Sequence, residues 1–331
     1  MKEYDIRPQK LFNEFLEVAR SDINKYFSNV SRFVEVDCPG CGHNNSERSF
    51  SKHEMHYREC VNCGSLFMSP RPTSDMIDSY YKNSASSKFW AERFFPETME
   101  ARREMIFKPR AQIISNILQK MEIPKPWSLA DIGSGYGIFL QELAKLKVFQ
   151  KIVAIEPSKE LADTCRSKGF DVLQNTLEEL TNEDLKVSFF TSFEVIEHLF
   201  SPVEFLSAAN RLLERGGHIV FTTLTSSGWD IQTLWEKSKS VSPPHHINLL
   251  TTEGLEFMVN RAGFEVVEIS TPGKLDVDII KNMMDEDNSI IDNKFVNYLI
   301  KKRDLKAQEA FQKFLQENRL SSHAQVIARK L

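Results

Sequence analysis

The stretch that most restricts this chain begins at residue 127. From there short apolar runs alternate with segments of helical periodicity: Ser128–Ile132, Lys151–Ile155, Asp171–Leu173, Val187–Ser192, His218–Thr223 and Phe264–Ser270 against 137–147, 158–167, 202–213 and 252–262. Strands separated by helix-length crossovers build a parallel sheet, because a parallel neighbour is reached only by a chain that returns across the sheet's face. Thr251 stands where it would cap the last of these helices, and Gly263 where it would end it. After a charged, helical stretch at 276–318, Ala324–Ala328 supplies a seventh strand.

The first strand runs into Leu129-Ala-Asp-Ile-Gly-Ser-Gly-Tyr-Gly-Ile-Phe-Leu140. Glycines at 133, 135 and 137 permit a tight turn and close approach of a ligand to the main chain. Glu156 ends the next strand, where a carboxylate can accept hydrogen bonds from ribose hydroxyls. The spacing is GxGxG, not the GxGxxG of dinucleotide-binding loops, and Asp131 would repel a pyrophosphate. A cationic nucleoside is favoured instead.

These residues resemble the class I S-adenosylmethionine-dependent methyltransferases, from about residue 105 to the C-terminus. The resemblance rests on Asp131–Gly137, on Glu156, and on the late helix-turn-strand Arg211–Val220. It implies an α/β fold with a Rossmann-like, seven-stranded, mostly parallel sheet. It also implies S-adenosylmethionine as cofactor, held by Asp131, Gly133, Ser134, Gly135, Gly137, Glu156 and Pro157, with Phe193 and Glu194 nearby. Asn175, Thr176 and Leu177 fall where the family contacts adenine, although many members carry aspartate at the place of Thr176.

Four of the five cysteines form two CxxC pairs, Cys38/Cys41 and Cys60/Cys63, with 18 residues between them and Gly42 or Gly64 after each pair. This is the spacing of a zinc ribbon, in which four thiolates close a tetrahedral structural site. A redox dithiol and metal-free buried thiols are the rival readings. His53 and His56 lie between the pairs, and Cys165 reads as a packed free thiol. An amphipathic helix at 10–27 precedes the ribbon, and Ser69-Pro-Arg-Pro72 follows as an extended connector. Residues 73–122 read as helical, with Ile113, Ile114, Ile117, Leu118 and Met121 in register, and Ile123-Pro-Lys-Pro126 ends that helix. The expected division is an N-terminal helix and ribbon (1–72), a helical bridge (73–126) and a catalytic core (127–331) with a helical insertion at about 274–318, long enough to form a lid. A ribbon before a methyltransferase core, with Tyr80-Tyr81 between them, resembles bacterial enzymes of sugar, surface-glycan or natural-product modification.

On the acceptor side, Phe193-Glu-Val-Ile-Glu-His-Leu199 spaces Glu194, Glu197 and His198 at i, i+3 and i+4, so that a helical turn would put them on one face. Pro243-Pro-His-His-Ile-Asn248 adds His246 at the sheet's C-terminal edge, where ligands bind in such folds. The pattern resembles metal-assisted O-methyltransferases of ubiquinone biosynthesis and small-RNA 2'-O-methylation. In that resemblance Glu194, Glu197, His198 and His246 would hold Mg2+ or Mn2+. Related enzymes without metal carry the same Glu-His step, and there His198, His246 and Glu197 would act as base and positioning groups. Trp229 and Trp235 either wall the acceptor or pack. Arg102, Arg103, Lys108 and Arg110, like Lys301-Lys-Arg303, read as solvated faces, with a substrate phosphate as the competing role.

Lys plus Arg is 42 against 46 Asp plus Glu, which disfavours a strongly cationic nucleic-acid binder. The charged N-terminus and the lack of a long apolar run point to a cytoplasmic protein without membrane spans. The expected activity is O-methylation of a small polar acceptor such as a sugar, nucleotide-linked sugar or glycan precursor. RNA methylation with the ribbon as reader, and sugar C-methylation, are the alternatives.

Overall fold

A computed structural model describes residues 2–120 and 125–331, so Met121 and the Ile123-Pro124 step of the expected helix end lie outside the described residues. The catalytic half carries a seven-stranded sheet of β4 (Ser128–Ile132), β5 (Lys151–Ile155), β6 (Asp171–Leu173), β7 (Val187–Phe193), β8 (Leu213–Leu224), β10 (Phe264–Ser270) and β11 (His323–Lys330). Its order is β10-β11-β8-β7-β4-β5-β6. The β4–β8 pairings are parallel, while β11 runs antiparallel to both β8 and β10.

Successive strand residues face opposite sides, and the core follows that period. Leu129 packs with Ile114, Leu118, Leu140 and Leu143 on one face, whereas Ala130 and Ile132 pack with Phe205, Leu206 and Leu255 on the other. The crossover helices Ile138–Lys145, Lys159–Ser167, Pro202–Leu212 and Thr252–Arg261 stand where the periodicity predicts them. Thr251 Oγ1 accepts from Gly254 N, and Gly263 has φ +80°, so start and stop signals both operate.

A second sheet, all antiparallel, joins β1 (Ser46–Lys52), β2 (Met55–Cys60), β3 (Leu66–Met68) and β9 (Asn248–Leu249) in that order. Sequence reasoning missed β9, a two-residue strand lent by the catalytic half that pairs Leu66 with Leu249 and Phe67 with Asn248. So short a strand carries no periodicity of its own.

Ser69–Pro72 is also more than a connector. Arg71 is 1% exposed, and its guanidinium donates to Met68 O, Phe200 O and Asn248 Oδ1 at 2.9–3.0 Å. The insertion forms helices Asp276–Glu286, Lys294–Lys302 and Leu305–Glu317 around a core of Ile280, Met284 and Leu315, against Trp229 and Leu234. No helix among the described residues is long and apolar enough to cross a membrane.

Arg71→Ala would leave three buried acceptors unsatisfied. It is expected to destabilise the protein by about 3 kcal/mol or more in denaturant titration. A loss below about 1 kcal/mol would show that the guanidinium does not join the two halves.

Candidate active site

The chain leaves β4 through three left-handed glycines, Gly133, Gly135 and Gly137, at φ +74°, +53° and +66°. A Cβ on Gly133 would stand 2.9 Å from Val195 Cγ2, and one on Gly137 3.0 Å from Cys165 Sγ. At Gly135 a Cβ would meet nothing within 4 Å among the described residues, so the loop faces open space at that point. Cys165 backs the loop by donating to Gly135 O at 3.2 Å, and burial pushes its thiol up to about 11, as befits a packed thiol. Ser134 Oγ closes the turn on Asp131 O at 2.8 Å.

Glu156, at the end of β5, accepts from Gly135 N at 2.8 Å and Ser158 N at 3.0 Å, and burial raises its carboxyl. Pro157, Asn175 and Thr176 are exposed beyond the strand ends, while Leu177 is buried. Thr176 N donates to Glu179 at 2.9 Å. The strand ends thus bring the glycine loop and Glu156 together in one cleft.

Asp131 lies under the loop, 3% exposed, and accepts from Thr191 Oγ1 at 2.7 Å. Burial raises it to about 7, against the Thr191 hydrogen bond and the nearby Arg110 charge. Arg110, expected on a solvated face, turns inward instead. Its guanidinium stands 4.7 Å over the Phe193 ring and bonds Glu194 Oε1 at 2.6 Å. Arg103 is also largely covered and pairs with the buried Glu142, whereas exposed Lys108 pairs with Glu104 and Lys301–Arg303 are exposed, as a solvated reading requires.

The expected shared face of Glu194, Glu197 and His198 does not form. Glu194 has φ +57°, a strained value for a side-chain-bearing residue, and only Ile196–His198 make a short 3-10 turn. Glu194 Oε1 therefore points to Arg110, to Thr222 Oγ1 at 2.6 Å and to His323 Nε2 at 2.7 Å. Burial alone would raise this carboxyl, but His323, Arg110 and Thr222 together hold it well below the usual range.

Glu197, His198 and His246 form a separate group with ligand atoms within 4.8 Å of one another, and Glu194 is not part of it. Glu197 is 1% exposed and accepts from Thr223 Oγ1 at 2.7 Å; burial, with the Glu194 charge, raises it to about 8. His198 Nδ1 lies 2.8 Å from His245 O, and His246 Nδ1 lies 2.7 Å from Ser240 O. A carbonyl only accepts, so each Nδ1 carries the hydrogen and each Nε2 offers a lone pair. Burial lowers both imidazoles, keeping them neutral at pH 7.

The helical bridge closes over this group. Tyr81 Oη is 3.1 Å from His198 Nδ1, and Tyr80 Oη is 2.8 Å from His245 Nε2. Trp229 and Trp235 pack on Phe311 and Phe50 at ring distances of 5.0 and 5.7 Å.

The four ribbon thiols also converge. Cys38 and Cys63 sulfurs are 3.6 Å apart, Cys41 and Cys60 3.5 Å, and all four lie within 4.8 Å of one another. Both pairs sit on the same knuckle, in which Gly42 N and Gly64 N donate to Cys38 O and Cys60 O at 2.8 Å. The knuckles dock on the catalytic half through Arg261 to Gly40 O and Thr251 Oγ1 to Cys63 O.

Several contributors escaped sequence reasoning. Thr191, Thr222 and Thr223 are ordinary strand residues by pattern. His323 reaches Glu194 only because β11 pairs antiparallel with β8, setting His323 opposite Leu224. Thr191→Val would remove the bond that favours the Asp131 carboxylate, so the Asp131 titration midpoint is expected to move upward from about 7 in carbon-13 NMR. An unchanged or lower midpoint would refute that role for the hydroxyl.

The chain is similar to several known proteins. Ubiquinone biosynthesis O-methyltransferase of Roseobacter denitrificans is 25% identical over 62% of this chain and 92% of its own. An uncharacterised protein of Methanocaldococcus jannaschii is 26% identical over 50% of this chain and 75% of its own. Among solved structures, an S-adenosylmethionine-dependent methyltransferase from Archaeoglobus fulgidus is 17% identical, with a TM-score of 0.46, over 69% of this chain and 94% of that one. The model of the methyltransferase domain family matches residues 101–269, half of the chain and the whole glycine-loop cleft. The chain belongs to the methyltransferase domain family and is an S-adenosylmethionine-dependent methyltransferase.

Proposed function

We propose that the enzyme methylates a hydroxyl of a small polar acceptor, with a sugar, nucleotide-linked sugar or glycan precursor as the acceptor class. The observation that carries this reading is the Glu197–His198–His246 group, with two neutral imidazoles whose Nε2 lone pairs are free to take a hydroxyl proton. Bound S-adenosylmethionine supplies an electrophilic methyl on a sulfonium. Glu156 would accept from the ribose hydroxyls, and Asp131 and Arg110 would face the amino and carboxylate groups of the methionine end. Asn175, Thr176 and Leu177 would flank the adenine. Thr222 and Thr223, neighbours on β8, bond Glu194 and Glu197 and so set the proton-accepting group beside the cofactor cleft. Most of the acceleration then comes from holding nucleophile, methyl and sulfur in line.

His198→Ala and His246→Ala are expected to lower kcat on the true acceptor by roughly a hundredfold. S-adenosylhomocysteine affinity should stay within about twofold, since neither ring lines the glycine loop. Unimpaired turnover in both variants would sink the assignment. An RNA substrate would instead demand tight, salt-dependent binding, and a C-methyltransferase would require an acceptor with an acidic carbon.

A divalent cation on Glu197, His198 and His246 is the second reading, favoured by the 4.8 Å convergence of their ligand atoms. The carbonyl bonds at both Nδ1 positions are the outer contacts that orient metal-bound imidazoles. In this reading Mg2+ or Mn2+ would lower the pKa of the acceptor hydroxyl, and chelation would abolish turnover.

The division into ribbon (1–72), bridge (73–126) and core (127–331) suits this function, with structural zinc on Cys38, Cys41, Cys60 and Cys63. Sulfurs 3.5–3.6 Å apart suit a tetrahedron with Zn–S of about 2.3 Å. A mercurial titration should release one zinc per chain, and Cys63→Ser should lose it and misfold. Substoichiometric zinc in protein with four freely reactive thiols would exclude the site.

A further inference from the structure

The arginines taken for a solvated face divide once the fold is known, and Arg102 is the one turned inward without a carboxylate partner among the described residues. Its Nε donates to Thr98 Oγ1 and its Nη2 to Ile6 O, both at 3.1 Å, and its guanidinium stands 5.5 and 5.7 Å from the Trp90 and Phe94 rings. No carboxylate pairs with it among the described residues. The carbonyl that it holds belongs to the residue before Arg7, and a second guanidinium lies on the same aromatic cluster of Phe12, Phe15, Trp90 and Phe94. Arg7 lies 5.4 Å from the Phe12 ring, and its Nε is buried without any hydrogen-bond partner. No carboxylate pairs with Arg7 either among the described residues.

Two like charges on one aromatic cluster disfavour each other, and a buried donor left unpaired is costly. Burial, with the Arg7 and Arg110 charges, lowers Arg102 to about 9, so it stays cationic at neutral pH. The segment carrying Arg7 is nevertheless tied down. Lys2 pairs with Asp278 at 3.3 Å, Glu3 N donates to Asp278 at 2.7 Å, and Asn282 donates to Glu3 at 2.8 Å.

This arrangement borders the acceptor group. The Phe15 ring, packed on Phe12, Trp90 and Phe94, lies 5.6 Å from the His245 ring. Burial is the main cause that lowers the His246 imidazole, with the Arg7 charge a minor one, and the Glu194 charge partly opposes the lowering of Arg102.

We infer that Arg7 and Arg102 form a binding fork for an oxyanion, a carboxylate or a phosphate, carried by the methyl acceptor. The inference rests on the proposed acceptor site and narrows its substrate to acidic molecules, such as a sugar acid or a sugar phosphate. Guanidinium groups suit such oxygens because their planar donors match them two at a time. The competing occupant is the cofactor's own carboxylate, for which Arg110 is the nearer candidate beside Glu194 and Asp131.

The test uses full-length protein saturated with S-adenosylhomocysteine and titrated with inorganic phosphate or with acetate, following the thermal midpoint and the arginine side-chain NMR signals. Saturable binding of either anion is expected, and the tighter one names the source of the charge. Arg7→Gln and Arg102→Gln should each need roughly tenfold more anion. Their affinity for S-adenosylhomocysteine should stay within about twofold of the parent. If Arg102→Gln fails to fold, Arg7→Gln carries the test alone, with Arg102→Lys as the variant that keeps charge and stem but loses the fork.

The inference is overturned if neither anion binds, if the variants bind as the parent does, or if affinity for S-adenosylhomocysteine falls in step with anion affinity. Loss of anion binding alone, with the His198 and His246 requirement intact, would leave the hydroxyl reading standing. Full activity of His198→Ala and His246→Ala would remove that reading whatever the anions do.

Discussion

Asn248 is the joint on which the double-histidine loop and the turn after β7 depend. Its Oδ1 accepts from the buried Arg71, and its Nδ2 donates to Ile196 O and Leu199 O at 3.1 and 2.7 Å. One side chain thus ties the end of the ribbon to the turn carrying Glu197 and His198. The two residues before it repeat the connection. Ile247 N donates to Glu197 O, Met68 N to Ile247 O, and Tyr57 Oη to His246 O. The double-histidine loop is therefore gripped between the ribbon and the catalytic sheet, and the two Nδ1–carbonyl bonds orient rings whose backbone is already fixed.

The charge state of the cleft follows from burial. Among its acids, Glu194 alone has enough cationic and hydroxyl partners to overcome desolvation. Asp131 and Glu197 have one hydroxyl bond each, and burial moves both toward neutrality. Burial keeps the His198 and His246 imidazoles neutral as well. A cleft with few fixed charges makes each remaining one count, because little solvent is present to screen it.

Much of the sheet could be read from the chain because its signals are local. Strand periodicity, the positive-φ glycines, the cap at Thr251 and the paired knuckles at Gly42 and Gly64 each need only a few neighbouring residues. What escaped reading is non-local. The i, i+3, i+4 face assumed a regular helix after β7, but Glu194 takes a left-handed conformation because its carboxylate is drawn to Arg110, Thr222 and His323. Arg102 and Arg110 looked like the exposed Lys108 by composition. Only the packing of their helix over the cleft separates inward from outward cations. Strand β9 is defined by its partner and has no pattern to find.

The elements before residue 101 reach over the histidine loop through Tyr57, Arg71, Tyr80 and Tyr81, while the match to the family spans residues 101–269. The family match therefore stops short of the segments that hold the histidine loop, which the β3–β9 pairing joins to the chain beyond that loop. Residues 101–269 on their own would leave the backbone and side chains of that loop without these four partners.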